Sequence, residues 1–240
     1  MTKQRLDIEL TKRGLVTSRS QAESWIKLGK VLVDGKVANK SGVFVREDSK
    51  ISVTSDERYV GRAGLKLASV ARVLKLDFRK KFVLDVGSST GGFTDYSLQN
   101  GAQKVYAVDV GTDQLHPSLR RHPKIELHEK TDIRDFYLKK KPDIIVMDVS
   151  FISLREILPH IARELSGPET QIVAMLKPQF EAGREQVNKG VIKNDSVRRQ
   201  ILRDFEVWSK QYFVILDKRD SDVAGAKGNQ ERFYLLKLLK

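Results

Sequence analysis

One stretch limits this chain more than any other. Phe82-Val83-Leu84-Asp85-Val86 runs directly into Gly87-Ser88-Ser89-Thr90-Gly91-Gly92-Phe93-Thr94. A short, largely apolar run of this kind forms a strand buried on both faces. The glycines after it let the backbone approach a ligand without a Cβ clash. Strand, glycine-rich turn and helix in succession make the ligand corner of a doubly wound parallel sheet. About twenty residues on, VYAVDVG ends a second strand at Asp109, where a carboxylate can accept from both hydroxyls of a ribose.

That much would equally suit a nicotinamide dinucleotide, and a glycine pattern alone is weak evidence. Three details favour S-adenosylmethionine. The turn reads DVGSSTGGFT rather than GxGxxG. Asp85, at the strand end, suits the ammonium of an amino acid and would repel a pyrophosphate. Asp132 in KTDIRDF follows the next strand, where it either contacts adenine or caps a helix, two roles that are compatible. The candidate cofactor residues are therefore Asp85, Gly87, Ser89, Gly91, Gly92, Phe93, Thr94, Asp109 and Asp132.

Strands and helices alternate through the rest of the chain. PDIIVMDVSF and QIVAMLKPQF read as the fourth and fifth strands, with helices at LREILPHIARELS and SVRRQILRDFEVWSKQ. YFVILDKRD and RFYLLKLL supply two more. The expected fold is α/β, a Rossmann-like seven-stranded sheet of the S-adenosylmethionine-dependent methyltransferase kind, ending in an antiparallel hairpin. A helix over GRAGLKLASVARVLKL, with Leu65, Leu67, Ala68, Ala71, Val73 and Leu74 apolar, precedes the first strand.

The first residues are organised differently. RLDIELTKR predicts a helix stopped by Gly14, and SQAESWIKLGK a second one with Ala22, Trp25 and Ile26 as its apolar stripe. VLVDGKVA carries a tight turn at Asp34-Gly35, and KISVT closes the segment. These motifs resemble the ribosomal-protein S-four-like RNA-binding domain, a small α+β unit, over residues 3–54. The resemblance implies a basic, phosphate-holding face, with Arg5, Arg13, Arg19, Lys27, Lys30 and Lys36 as candidates. The division expected is residues 1–55, a linker at 56–60, and residues 61–240.

Lys and Arg outnumber Asp and Glu by 44 to 31, a net charge of +13. Such an excess favours polyanions, nucleic acid first and an anionic membrane second. No run of about 18 apolar residues suggests a membrane span. The charged N-terminus is unlike a signal peptide, so a cytoplasmic location is expected. Cysteine is absent, which removes disulfides, thiolate metal sites and cysteine nucleophiles. His116, His122, His128 and His160 lack metal-ligand spacing, and no metal is expected.

Without a cysteine, covalent methylation of pyrimidine carbon five is excluded. Amine methylation usually needs a proline-containing clamp where this chain reads Asp148-Val149-Ser150-Phe151. Amine methylation is thereby demoted rather than excluded, and an alcohol acceptor such as a ribose 2′-hydroxyl is attractive. It must lose its proton as it attacks, and a lysine can take that proton when neutral, a form that nearby positive charge favours. Lys66, Asp148, Lys177 and Glu231 stand at placements that converge on one sheet edge, with Glu181 competing with Glu231. Phe151 and Phe180 either stack a base or pack the core edge.

The motifs GRAGLKL, DVGSSTGGFTD, VDVG, MDVSFISL, LKPQFE, KGVIKN and AGAKGNQERF resemble the TlyA family, which groups with the FtsJ-type 2′-O-methyltransferases. The resemblance spans residues 3–238. It implies methylation of cytidine riboses in ribosomal RNA or ribosomal subunits. It also implies that Lys66, Asp148, Lys177 and Glu231 form the family's catalytic set, with Lys177 as base. Thr112 and Asp113 depart from the glycine–tyrosine pair that the family frequently has after VDVG. Two other readings stand beside this one: a membrane-active haemolysin, a label the family also carries, and an RNA-binding protein without catalysis. The sequence leaves the oligomeric state open.

Overall fold

The computed structural model describes residues 3–16, 19–27, 29–53, 59–187, 190–192, 194–223, 225 and 228–239. The chain divides into two compact units, residues 1–57 and 58–240. Residues 56–58 of the expected linker lie outside the described residues.

The first unit contains β1 (Lys3–Arg5), α1 (Leu6–Lys12), α2 (Arg19–Lys27), β2 (Val31–Val33), β3 (Lys36–Val37), β4 (Phe44–Arg46) and β5 (Ile51–Val53). Leu6 and Leu10 of α1 meet Ala22 and Ile26 of α2, with Val31 and Val45 closing a small core. β2 is the central strand of an antiparallel sheet, flanked by β3 and β5. Asp34 and Gly35 turn the hairpin with φ of 51° and 79°, both positive as a two-residue turn of this twist requires. A second ribbon, β1 against β4, was not expected from the sequence. Each of its strands has three residues, too few to show a period.

The second unit runs α3 (Arg62–Ala71), β6 (Phe82–Val86), α4 (Gly92–Gln99), β7 (Lys104–Val108), α5 (Pro117–Arg120), β8 (Ile125–His128) and β9 (Ile144–Met147). It continues with α6 (Leu154–His160), β10 (Gln171–Leu176), α7 (Pro178–Glu181), α8 (Asp195–Ser209), β11 (Phe213–Asp220) and β12 (Arg232–Leu238). The seven strands lie in the order β11-β12-β10-β9-β6-β7-β8. β8, β7, β6, β9 and β10 are parallel; β12 enters antiparallel to β10, and β11 pairs antiparallel with β12.

Alternate residues feed two cores. Leu84, Ile145, Met147, Ile172 and Ala174 face one side with α6 and α8 residues such as Ile157 and Phe205. Val83, Ile144, Val146, Val173 and Met175 face the other with Leu67 and Val70 of α3 and Phe93 of α4. Both faces are thus covered, which explains the nearly unbroken apolar strands. The strand order reverses between β6 and β9, so a crevice opens beyond their carboxyl ends.

Two helices differ from expectation. α3 stops at Ala71, leaving Val73 48% exposed rather than in the core. The helix expected over 154–166 changes after His160, just beyond Pro159, which has no N–H to continue the ladder. Residues Ile161–Leu165 form a π turn, closed by Ser166 N donating to Ile161 O at 2.8 Å.

Candidate active site

The crevice at the reversal point holds a cleft of about 520 Å³, whose walls include Gly87, Ser89, Asp109, Asp132 and Asp148. Each comes from a loop that leaves the carboxyl end of a strand. Gly87 has φ +78°, and a Cβ there would sit 3.0 Å from Asp148 O. The glycine therefore lets the loops after β6 and β9 touch. Asp109 accepts from Ser89 N at 2.8 Å and from Gly111 N at 2.7 Å, fixing the loops after β6 and β7. A carboxylate has further lone pairs for ribose hydroxyls. Asp132 caps the short 3₁₀ turn at Ile133–Asp135 and also lines the cleft. Hydrogen bonds from Arg134 hold its carboxyl below the usual range.

Five of the cofactor candidates do not line the cleft. Asp85 is fully buried behind it, where Thr94 Oγ1 donates to Oδ2 at 2.6 Å while Oδ1 has no partner. Burial pushes its carboxyl up to about 7, against the Thr94 hydrogen bond and helped by the Asp148 charge. Gly91 has φ +96°, and a Cβ there would meet Leu119 Cδ1 at 2.5 Å. Gly92 lies against Gly64 N, which a Cβ would approach to 2.7 Å. Phe93 packs in the core beside Phe233, with ring centroids 6.1 Å apart. These residues shape the turn from behind.

At the same sheet edge two ion pairs form. Lys177 Nζ, just after β10, lies 2.6 Å from Asp148 Oδ1, just after β9, and donates to Ser150 Oγ at 2.7 Å. Lys66 Nζ, on α3, lies 2.5 Å from Glu231 Oε2. Leu176 pairs with Arg232, so Glu231 follows next in register beside Lys177. Lys66, Lys177 and Glu231 are 8%, 9% and 3% exposed. Lys66 is therefore no solvent-facing helix residue. Charges this buried persist only when paired. Gly225 lacks the Cβ that would come within 2.9 Å of Glu231 Oε1.

Glu181 has another partner set. It accepts from Ser153 Oγ at 2.6 Å and from Leu154 N at 2.7 Å, at the start of α6. Ser153, not Asp148, is the side-chain cap of that helix. Phe151 is 91% exposed at the cleft, with φ +66°, a strained conformation for a bulky residue. Its ring lies 5.2 Å from that of Phe180. Sequence reasoning missed Ser150 as a partner of Lys177, and missed Gln114, which lines the cleft and accepts from Ser89 Oγ at 3.2 Å. Only the placement of Ser150 two residues beyond Asp148 could have signalled the first.

In the first unit, Arg5 and Arg19 converge on Asp7, which is fully buried. Hydrogen bonds from Arg5, opposed by burial and reinforced by Arg19, hold its carboxyl at about 2. Arg13 is a structural clamp, donating to Glu9 Oε1 and to the carbonyls of Ser49 and Glu47. Lys36 is exposed and Lys30 half-buried. The side chain of Lys27 lies outside the described residues.

A seven-stranded sheet with an antiparallel penultimate strand in spatial order, a glycine turn after its first strand and acidic residues after the next two define a class, the S-adenosylmethionine-dependent methyltransferases. Family models agree: residues 59–238 match the FtsJ-like methyltransferases and residues 4–51 the S4 domain. The chain belongs to the TlyA family of FtsJ-like methyltransferases that carry an S4 domain. It is 37% identical to the Campylobacter jejuni 23S rRNA (cytidine-2′-O)-methyltransferase TlyA, covering 96% of this chain and 98% of that one. It is 35% identical to the Mycobacterium tuberculosis 16S/23S rRNA (cytidine-2′-O)-methyltransferase TlyA, covering 97% and 89%. A solved Streptococcus thermophilus protein bearing a hemolysin name superposes with TM-score 0.78 at 36% identity, over 100% of this chain and 90% of that one. Among the described residues, no helix is long and apolar enough to cross a membrane.

Proposed function

We propose that this protein methylates the 2′-hydroxyl of a cytidine in ribosomal RNA, acting in the cytoplasm on rRNA or a ribosomal subunit. The observation that carries the reading is the Lys177–Asp148 ion pair at the cleft, with the Lys66–Glu231 pair next in register. The rRNA cytidine activity named for relatives at 35% and 37% identity supports the choice of substrate.

S-adenosylmethionine supplies an electrophilic methyl group on a sulfonium. The residues present suit it: Asp109 and Asp132 face the cleft for ribose and adenine. The unpartnered Oδ1 of Asp85 suits the ammonium end, with Thr94 holding the other oxygen in place. Gly91, Gly92 and Phe93 set the path of the turn. Bound there, the cofactor would supply its methyl group to the ribose oxygen and keep the sulfur's electron pair, leaving this chain's residues to orient the hydroxyl and remove its proton. Lys177, once its ammonium has released a proton to the solvent of the cleft, takes the hydroxyl proton on Nζ as a neutral amine, with Asp148 and Ser150 holding it in place. Glu231 offsets the charge of Lys66 beside it, so two lysines can share one buried edge. Phe151, exposed and strained at the cleft mouth, offers the target base a face to stack on, with Phe180 behind it.

The test is nucleoside mass spectrometry of ribosomal subunits incubated with the protein and S-adenosylmethionine. The expected product is 2′-O-methylcytidine, reduced at least about 100-fold by Asp148→Ala while cofactor affinity changes little. A base-methylated product would sink the ribose mechanism. Lysis of cells by the pure protein without a methyl donor would favour the haemolysin reading instead.

A further inference from the structure

The β1–β4 ribbon of the first unit has a two-sided composition. Its register pairs Lys3 with Arg46, Gln4 with Val45, and Arg5 with Phe44. Val45 points inward, 4% exposed, and joins the core with Leu6, Leu10 and Ile26. Successive side chains alternate between faces, and directly opposed residues share one. Phe44 and Arg46 therefore stand on the outward face together with Lys3 and Arg5. Phe44 is 63% exposed, and Lys3 and Arg46 are exposed as well.

A lone exposed apolar side chain needs no explanation. This one is ringed by three cations on one small face. One of them is rigid: Arg5 donates through Nε and NH2 to the two oxygens of Asp7, each at 3.0 Å. Arg19 reaches the same carboxylate at 2.7 Å and also lies 4.0 Å from Glu23, so these two guanidiniums are balanced and the positive charge of the face comes from Lys3 and Arg46.

We propose that this outward face of the ribbon is a docking site for a single-stranded RNA segment. Phe44 stacks one base while Lys3 and Arg46 hold the flanking phosphates, with Arg5 turned to Asp7 beneath them. Aromatic faces among cations are how sequence-tolerant single-strand binding is built, and charge complementarity selects RNA here. The assignment rests on reading the first unit as the RNA-binding part, and it names residues that reading did not include.

The test uses the full chain and a fluorescein-labelled oligocytidylate, with affinity measured by anisotropy across a salt series. Phe44→Ala should weaken binding by roughly 5- to 100-fold without changing the slope of log affinity against log salt. Phe44→Trp should restore affinity, and its indole fluorescence should be quenched by the RNA. Lys3→Ala with Arg46→Ala should flatten the slope by about 1.4. Because all three positions are exposed, melting temperature and cofactor affinity should stay unchanged. Wild-type affinity in Phe44→Ala, with the lysine–arginine variant weakened, would overturn the stacking site and leave the RNA-binding reading intact. No RNA binding by the wild-type chain would overturn both. A Phe44-dependent affinity for anionic phospholipid vesicles, with RNA affinity unaffected, would assign the face to a membrane and overturn the proposal.

Discussion

Burial pushes the Asp85 carboxyl up to about 7, with Thr94 opposing the shift and Asp148 adding to it. Between its ordinary value of 3.8 and about 7, the folded chain therefore holds a proton here that the unfolded chain has released. Stability contributed at this position is full below the lower value and is lost as pH rises through the upper one. Asp85→Asn removes the titration. Urea unfolding of the two proteins across that range should show the wild type losing stability relative to the variant, by an amount of the order of 4 kcal/mol. Parallel curves would mean that the buried oxygen has a partner in solution. In the function proposed above, the cationic end of the cofactor would hold the same orphaned oxygen ionised.

Glu181 works at a distance from the reacting atoms. One turn beyond Lys177, it ties α7 to the first residues of α6 through Ser153 and Leu154. The loop before α6 carries Asp148, Ser150 and Phe151, so two site-bearing loops share one buried carboxylate. Burial raises that carboxyl, against the hydrogen bonds from Ser153 and Leu154. Glu181→Ala should cost roughly 1–3 kcal/mol of stability by leaving buried donors unsatisfied. It should also lower kcat with little change in cofactor affinity. Glu181→Gln, which keeps an acceptor, should recover much of both; equal loss in the two variants would contradict this positioning role.

Such ties also explain what could be read in advance. β6, β7, β9 and β10 are long and apolar enough to announce themselves, with Asp85 near the end of β6 and Asp109, Asp148 and Lys177 just after β7, β9 and β10. The β1–β4 ribbon is too short for any period to appear. Ser150 and Glu181 find partners 27 and 28 residues away, pairings that no local pattern encodes. The resemblance to the S-four-like domain suggests Arg13 for the RNA face, and its guanidinium is engaged by Glu9 and two carbonyls. Which cations are already paired inside a unit is a fact of tertiary structure.

The division into units at residue 57 separates the two tasks assigned above. Removing residues 1–55 should therefore weaken affinity for ribosomal RNA far more than affinity for S-adenosylmethionine, as titration calorimetry of both chains would show. Equal loss of the two would contradict that division of labour. The antiparallel seating of β12 between β10 and β11 has a consequence for biogenesis. Lys66 meets its carboxylate only through residue 231, so the ion pair joins points far apart in the order of synthesis. A chain emerging from the ribosome has its first unit and its glycine turn complete well before Glu231 exists. If the pair serves the reaction proposed above, recognition is acquired early and chemistry late, and a growing chain holds RNA before it can mark it.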